Sequence, residues 1–228
     1  AHAASLMAEA GRSGSEPIIA FVFDGTGYGA DGSLWGGEVL LTDYQRSERW
    51  GHLENVQLPG GDAAVANPCR TALAHLSAAG LSWDDDLAPV RACEGAERAV
   101  LARQLSTGMG CVATSSVGRL FDAVGSLLDL RHRITYEAQA AIDLEALAAA
   151  HLGPTPRLCF GLGSNGSFDA APVLAAMVEG LRAGIDRSAL AAGFHEAVVE
   201  AMLWAARRIR RDRSLEVVGL TGGVFQNA

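Results

Sequence analysis

The chain has 228 residues, enough for one large or two small domains and for a core that needs no disulfide support. Hydrophobic residues make up 49% and charged residues 19%, the balance of a globular protein. Net charge is −8 and all 18 basic residues are arginine, which argues against a nucleic-acid surface. No apolar run reaches the ~20 residues of a membrane span, so no membrane association is expected.

Cys69, Cys93, Cys111 and Cys159 are widely spaced and form no CxxC, which is neither a disulfide framework nor a zinc pattern. They read as reduced thiols of a cytoplasmic protein.

Residues 1–11 are helix-like and start without a cap, and 11–17 read as a loop. The apolar run 18–23 predicts a buried strand. Residues 35–42 and 48–56 predict two more, giving a three-strand meander. Leu58-Pro59-Gly60-Gly61-Asp62 then breaks the sheet pattern, and a helix follows over 68–79 with Pro near its first turn. Residues 80–95 read as loop and 97–106 as a short helix. Ser115/Ser116 should cap a helix to about residue 130, with Val117, Leu120, Phe121, Val124, Leu127 and Leu128 on one face. Gly118, Asp122 and Gly125 make a neighbouring stripe. An Ala-rich helix over 136–150, a short strand over 157–160, a turn at Asn165-Gly166, helices at 172–183 and 188–211 and a strand over 215–220 complete the chain. The order predicts a mixed α/β sheet with flanking helices. It suits the ribonuclease-H-like lobe of actin-like ATPases, although periodicity alone does not select that fold.

The strand at 18–23 runs into Asp24-Gly25-Thr26-Gly27-Tyr28-Gly29. Glycines permit close backbone approach, and successive N–H groups can cradle an anion. An acid beside such a cradle calls for a cation between them, so the pairing suggests a phosphate bound with a metal. The alternative is a β-hairpin turn rich in Gly and Asp. A second glycine pair, Gly222-Gly223, leaves the last strand and is expected to open a helix whose N-terminus suits phosphate. Its alternative is a tight turn. Together the two segments suggest a cleft gripping a nucleotide from two sides. Gly118 and Asp122 share a helix face at i, i+4, where a ribose could lie on the glycine while Asp122 accepts its hydroxyls. The alternative is a solvated Asp beside a packing glycine. Glu137 opens a helix, and its alternative role is to favour the helix start.

The runs FVFDGTGYGADGSLWGGE, LPGGDAA, TSSVGRLFDAV, TYEAQAA and GLTGGVFQN resemble, in this order, the C-terminal TsaD-like domain of HypF-type carbamoyltransferases. The opening AHAASLMAE is similar to the end of that family's His-rich HHHAH segment. The resemblance implies an actin-like ATPase (ASKHA) fold, incomplete at both ends, with residues 1–16 a helix end and linker and 17–228 the nucleotide-binding lobe region. It implies ATP or AMP, handled as carbamoyl adenylate, and a divalent metal (zinc, iron or magnesium). It implies carbamoyl transfer to the C-terminal cysteine of a HypE-like partner in [NiFe]-hydrogenase maturation. Acylphosphatase, zinc-finger and YrdC-like domains are the expected neighbours. His2 and Asp24 correspond to metal ligands, with Asp24 also at the reacting centre. Gly25, Thr26, Gly27, Tyr28, Gly29, Gly222 and Gly223 correspond to phosphate loops, and Gly118, Asp122, Glu137 and Asn227 to nucleotide contacts. The family's first metal histidine would precede residue 1 and its last metal-binding acid would follow Ala228, so the chain reads as a piece of a longer protein. An O-carbamoyltransferase acting on a small molecule, a phosphotransferase and a non-catalytic nucleotide-binding module remain as alternatives.

Overall fold

The computed structural model describes residues 1–14 and 16–227. Ser15, inside the expected 11–17 loop, lies outside them. The elements in chain order are α1 (His2–Glu9), β1 (Ile18–Tyr28), β2 (Leu34–Thr42), β3 (Ser47–His52), β4 (Val56–Pro59), α2 (Asp62–Val65), α3 (Pro68–Ala78), α4 (Ala88–Ala92) and α5 (Gly95–Thr107). There follow β5 (Cys111–Thr114), α6 (Val117–Leu127), α7 (Gln139–Ala149), β6 (Gly161–Leu162), β7 (Phe168–Asp169), α8 (Ala171–Arg182), α9 (Arg187–Arg213), β8 (Val218–Thr221) and a 3-10 turn at Gly223–Gln226.

The main sheet runs β4-β5-β2-β1-β8, with β3 also on β2. The β1–β2–β3 meander is antiparallel, while β8 lies parallel to β1 and β5 parallel to β2. The sheet is therefore mixed, as the element order implied. β1 explains its own composition. Ile19, Phe21 and Phe23 face the main helical core, and Ile18 and Ala20 join Ala3 and Met7 of α1 in a smaller cluster on the other face. A strand covered on both faces reads as an unbroken apolar run.

The helical layer is built on α6, whose Leu120, Phe121, Val124 and Leu127 are buried against their neighbours. Ser116 caps it, accepting the Arg119 N–H at 3.1 Å. α9, at 27 residues, is long and apolar enough to cross a bilayer. Here its Leu190, Phe194, Ala197, Ala205 and Ile209 face is packed into the core.

Several expected boundaries move. The glycine stretch after residue 23 is not a loop: β1 continues to Tyr28 through a bulge between Phe23 and Gly27, and the turn comes at residues 29–33. Gly27 allows this, since a Cβ there would sit 2.9 Å from the Trp35 carbonyl oxygen on β2. The 48–56 strand divides into β3 and β4, and Val56–Pro59 pairs with β5 instead of breaking the sheet. Pro59 is accommodated because β4 is the outer strand, where a missing N–H leaves no ladder bond unmade. Residues 80–95 contain α4. The strand expected at 157–160 is displaced to Gly161–Leu162, paired with Phe168–Asp169. The strand expected over 215–220 pairs as Val218–Thr221. No α-helix follows Gly222-Gly223 among the described residues; Gly222, at φ 108°, leads into a four-residue 3-10 turn. Phe225 of that turn stacks on Phe23 of β1 at 5.4 Å, so side-chain packing holds the segment down.

His75 on α3 is buried with neither ring nitrogen hydrogen-bonded. Burial pushes its pKa down to about 4. The unfolded chain binds this proton near its ordinary value of about 6.5, so stability is retained above that pH and lost as pH falls toward 4. The loss is about 2 kcal/mol by pH 5, which lies about 1.5 units below the unfolded value. His75→Leu should remove that acid dependence. Urea unfolding at pH 7.5 and pH 5 checks it: the variant should lose less stability than the wild type between the two pH values.

Candidate functional site

Strand β1, the N-terminal half of α6, the segment before α7 and the Gly223–Asn227 turn enclose a cavity of about 560 Å³. That volume falls within the range of small-molecule sites. Its walls include Asp24, Gly25, Gly118, Asp122, Glu137, Gly223 and Asn227, residues from four separate stretches of the sequence.

The bulge in β1 turns Asp24 and Gly25 toward this cavity. Asp24 Oδ1 accepts the Gly25 N–H at 2.8 Å, and Oδ2 lies 3.1 Å from His2 Nε2. Ser116 Oγ donates to the Asp24 carbonyl oxygen at 2.6 Å and lies 2.9 Å from that of Gly25. One hydroxyl thus caps α6 and anchors β1. A Cβ on Gly118 would stand 2.8 Å from Gly25 Cα and 3.0 Å from the Asp24 carbonyl oxygen. Gly118 is therefore not an open platform for a ribose; its missing side chain lets helix and strand touch backbone to backbone. Gly125 does the same toward α7, where a Cβ would meet the Ala140 carbonyl oxygen at 3.1 Å.

Asp122 is 1% exposed and paired with Arg119, Nη1 to Oδ2 at 2.7 Å. Burial pushes its carboxyl up to about 6, with Glu137 adding to the rise and Arg119 opposing it. It is a buried ion-pair member at the cavity wall, not the solvated acid of the alternative reading. Glu137 is exposed and precedes α7 instead of opening it. Asn227 bridges two helices: Nδ2 donates to the Ala141 carbonyl oxygen at 3.1 Å, and Oδ1 faces His195 Nε2 at 2.9 Å.

Thr26, Gly27, Tyr28 and Gly29 lie outside the cavity, and Tyr28 is 91% exposed on the hairpin. Gly222 is also set back, where a Cβ would be 2.1 Å from the Phe23 carbonyl oxygen. Of the residues in the two expected phosphate loops, Gly25 and Gly223 line the cavity.

His2 and Asp24 offer one nitrogen and one oxygen donor, a chemistry that suits zinc- or iron-type ions. Among the described residues no group of three or more His, Cys, Asp and Glu side chains is placed to hold a metal. Two donors are too few to hold such an ion tightly.

Behind the hairpin lies a polar network that the sequence reading did not assign. Glu38 is 1% exposed, accepts from Arg49 Nε at 2.5 Å and from Ser115 Oγ, and sits under the Gly36 and Gly37 N–H groups. Arg49 also reaches Asp31 at 3.1 Å and lies 4.2 Å over the Trp35 ring. Hydrogen bonds from Ser33 hold the Asp31 carboxyl down at about 2. The network fixes the far side of the hairpin whose near side presents Asp24.

A family model described as carbamoyltransferase, Kae1-like domain, second subdomain, matches residues 20–228. The chain belongs to this family. It is 44% identical over 214 residues to the carbamoyltransferase HypF of Rhodobacter capsulatus, covering 92% of the chain and 27% of that protein. It is 37% identical over 239 residues to a carbamoyltransferase HypF homolog of Cupriavidus necator, covering 100% of the chain and 59% of that protein. Among solved structures, a full-length HypF in a phosphate- and nucleotide-bound form superposes with a TM-score of 0.87 at 32% identity, over 98% of this chain and 34% of that one. The HypF of T. kodakarensis superposes with a TM-score of 0.85 at 29% identity, over 98% of this chain and 30% of that one. The Kae1-like subdomain thus spans between 27% and 59% of the length of these two curated relatives. Its architecture is the anticipated α/β, actin-like ATPase type: a mixed sheet with flanking helices.

Two cavity-region residues of this Kae1-like subdomain were not singled out from sequence. Arg119 looks like the polar member of an amphipathic helix, and His195 like one more residue of a long one. No local signal marks either; both are defined by segments far away in the chain.

The backbone contact at Gly118 yields a test with an informative sign. At an open helix position Gly→Ala stabilises by about 1 kcal/mol through helix propensity. In this subdomain Gly118→Ala should instead destabilise, by about 1–3 kcal/mol, because backbone atoms of β1 must move. Urea unfolding at neutral pH measures it.

Proposed function

We propose that this subdomain binds an adenine nucleotide in the cavity beneath Asp24 and Gly25, in the form of carbamoyl adenylate, and passes its carbamoyl group to a protein thiol. The observation that carries the reading is the cavity itself, where β1, α6 and the 223–227 turn converge in a member of the Kae1-like carbamoyltransferase family. A related HypF solved with phosphate and nucleotide supports nucleotide as the ligand.

In the proposed reaction the acceptor sulfur, as thiolate, attacks the carbamoyl carbon. The C–S bond forms, the bond from that carbon to the phosphate oxygen breaks, and AMP leaves with the electron pair. The acceptor is the C-terminal cysteine of a HypE-like protein, so no nucleophile is required of this chain. Its own residues bind and orient. Asp24 fixes the Gly25 turn through Oδ1 and holds His2 beside the cavity through Oδ2. Gly25 and Gly223 leave room for the phosphate at the rim, and Glu137 offers an exposed carboxylate acceptor for ribose hydroxyls. The carbamoyl adenylate would come from a YrdC-like domain of a longer protein that also carries acylphosphatase and zinc-finger units. Four free cysteines suit a reducing, cytoplasmic setting.

Asp24→Asn in the full-length protein should lower carbamoylation of the acceptor cysteine by about 100-fold, since it weakens the contacts that orient Gly25 and His2 at the reacting centre. Mass spectrometry of the acceptor, with chromatography of the nucleotide product, checks this. AMP is expected as the product of transfer. Wild-type transfer by the folded variant, or phosphorylated acceptor with ADP, would overturn the proposal.

A further inference from the structure

The cavity is lined by four carboxylates, Asp24, Asp122, Glu137 and Glu145, and by a single cationic side chain among the described residues, Arg119. An anionic ligand entering such a space meets net repulsion unless that one cation turns toward it. Arg119 is 4% exposed, so it is not a solvated surface charge. Its backbone is held by the Ser116 cap, and its guanidinium spans the gap between α6 and β1.

The guanidinium is only partly used. Nη1 lies 2.7 Å from Asp122 Oδ2 as an ion pair without hydrogen-bond geometry, and Nε is likewise buried with no hydrogen-bond acceptor. Nη2 lies against Gly25, 2.8 Å from where a Cβ would stand. A buried arginine serving only to pair with Asp122 would be expected to have its donors satisfied, because each one left unfilled is costly. Instead an unfilled donor remains on a planar fork beside the one residue of β1 that lacks a side chain and lines the cavity. Such a fork matches two oxygens of a phosphate, and its hydrogen bonds to an anion are among the stronger ones.

We propose that Arg119 is the phosphate-binding cation of this site, held by Asp122 when the cavity is empty and shared with a phosphate oxygen when it is filled. The inference rests on the reading of the cavity as a nucleotide site and names the residue that recognises the ligand's anionic part. Gly25 then has a second function besides its contact with Gly118, since any side chain there would displace the guanidinium from the ligand's path.

Calorimetric titration of the chain with AMP, adenosine and inorganic phosphate tests the proposal. The comparison uses the wild type, Arg119→Lys, and the double variant Arg119→Met/Asp122→Asn, which removes both members of the pair and leaves neither buried alone. The wild type should bind AMP about tenfold or more tighter than adenosine, the scale of a charge-assisted contact. In the double variant that preference should fall to within about twofold, while Arg119→Lys keeps part of it by retaining the charge without the fork. An unchanged AMP-to-adenosine ratio in the folded double variant would overturn the proposal, and so would equal weakening of both ligands, the result of a purely structural role. Arg119-dependent binding of inorganic phosphate without nucleotide binding would uphold Arg119 and overturn the nucleotide reading. Nucleotide binding indifferent to Arg119 would do the reverse, and binding of none of the three ligands at millimolar concentration would overturn both.

Discussion

The site depends on one close approach, the backbone of β1 at Gly25 against the backbone of α6 at Gly118. The missing side chain of Gly118 makes it sterically possible, and Ser116 makes it directional by bonding the β1 carbonyls while capping α6. Asp24 faces the cavity because the strand bulges at this point, and the bulge is held by the helix beneath it. The Glu38–Arg49–Asp31 network braces the hairpin from the opposite side. Moving either support would displace the acid, the glycine and the arginine together.

A second constraint is electrostatic. Burying an arginine and an aspartate together is expensive, and their mutual attraction returns only part of the cost. In this protein the pair lies at the wall of a cavity crowded with carboxylates, where burial already raises the Asp122 carboxyl to about 6. The arrangement makes sense for a ligand that carries both hydroxyl donors and a phosphate. Carboxylates suit the hydroxyls and Arg119 suits the phosphate. On the proposed reading, the His2–Asp24 end of the site would receive the reacting group and the Asn227 end the remainder of the ligand.

Much of the fold was readable from local pattern. The both-faced burial of β1 appears as an apolar run, α6 shows its cap and its stripe, and the mixed order of elements matches the sheet. What failed did so for identifiable reasons. A glycine-rich stretch states what the backbone is permitted to do, not what it does. Residues 25–29 suggest a single loop, whereas the chain makes a bulged hairpin in which only Gly25 of the five lines the cavity. Pro59 read as a break because its tolerance depends on β4 being outermost, a property of the whole sheet. Gly222-Gly223 suggests a helix start, and the described residues there form a 3-10 turn held by Phe225 on Phe23, a contact invisible locally. Site residues with chemical signatures, Asp24 above all, were visible. Arg119 was not, because its burial is imposed by a strand more than 90 positions earlier.

The measurement that bears most directly on the account is a crystal structure of the chain soaked with AMP. The account predicts ligand density in the cavity between Gly25, Gly118 and Asn227, with the phosphate at the Gly25–Gly223 end and the strand–helix contact unchanged. A second cleft of about 450 Å³, lined by Trp204, Arg207, Arg208 and Arg211 on α9, offers a basic alternative. AMP bound in that cleft, with the cavity under Asp24 empty, would contradict the account.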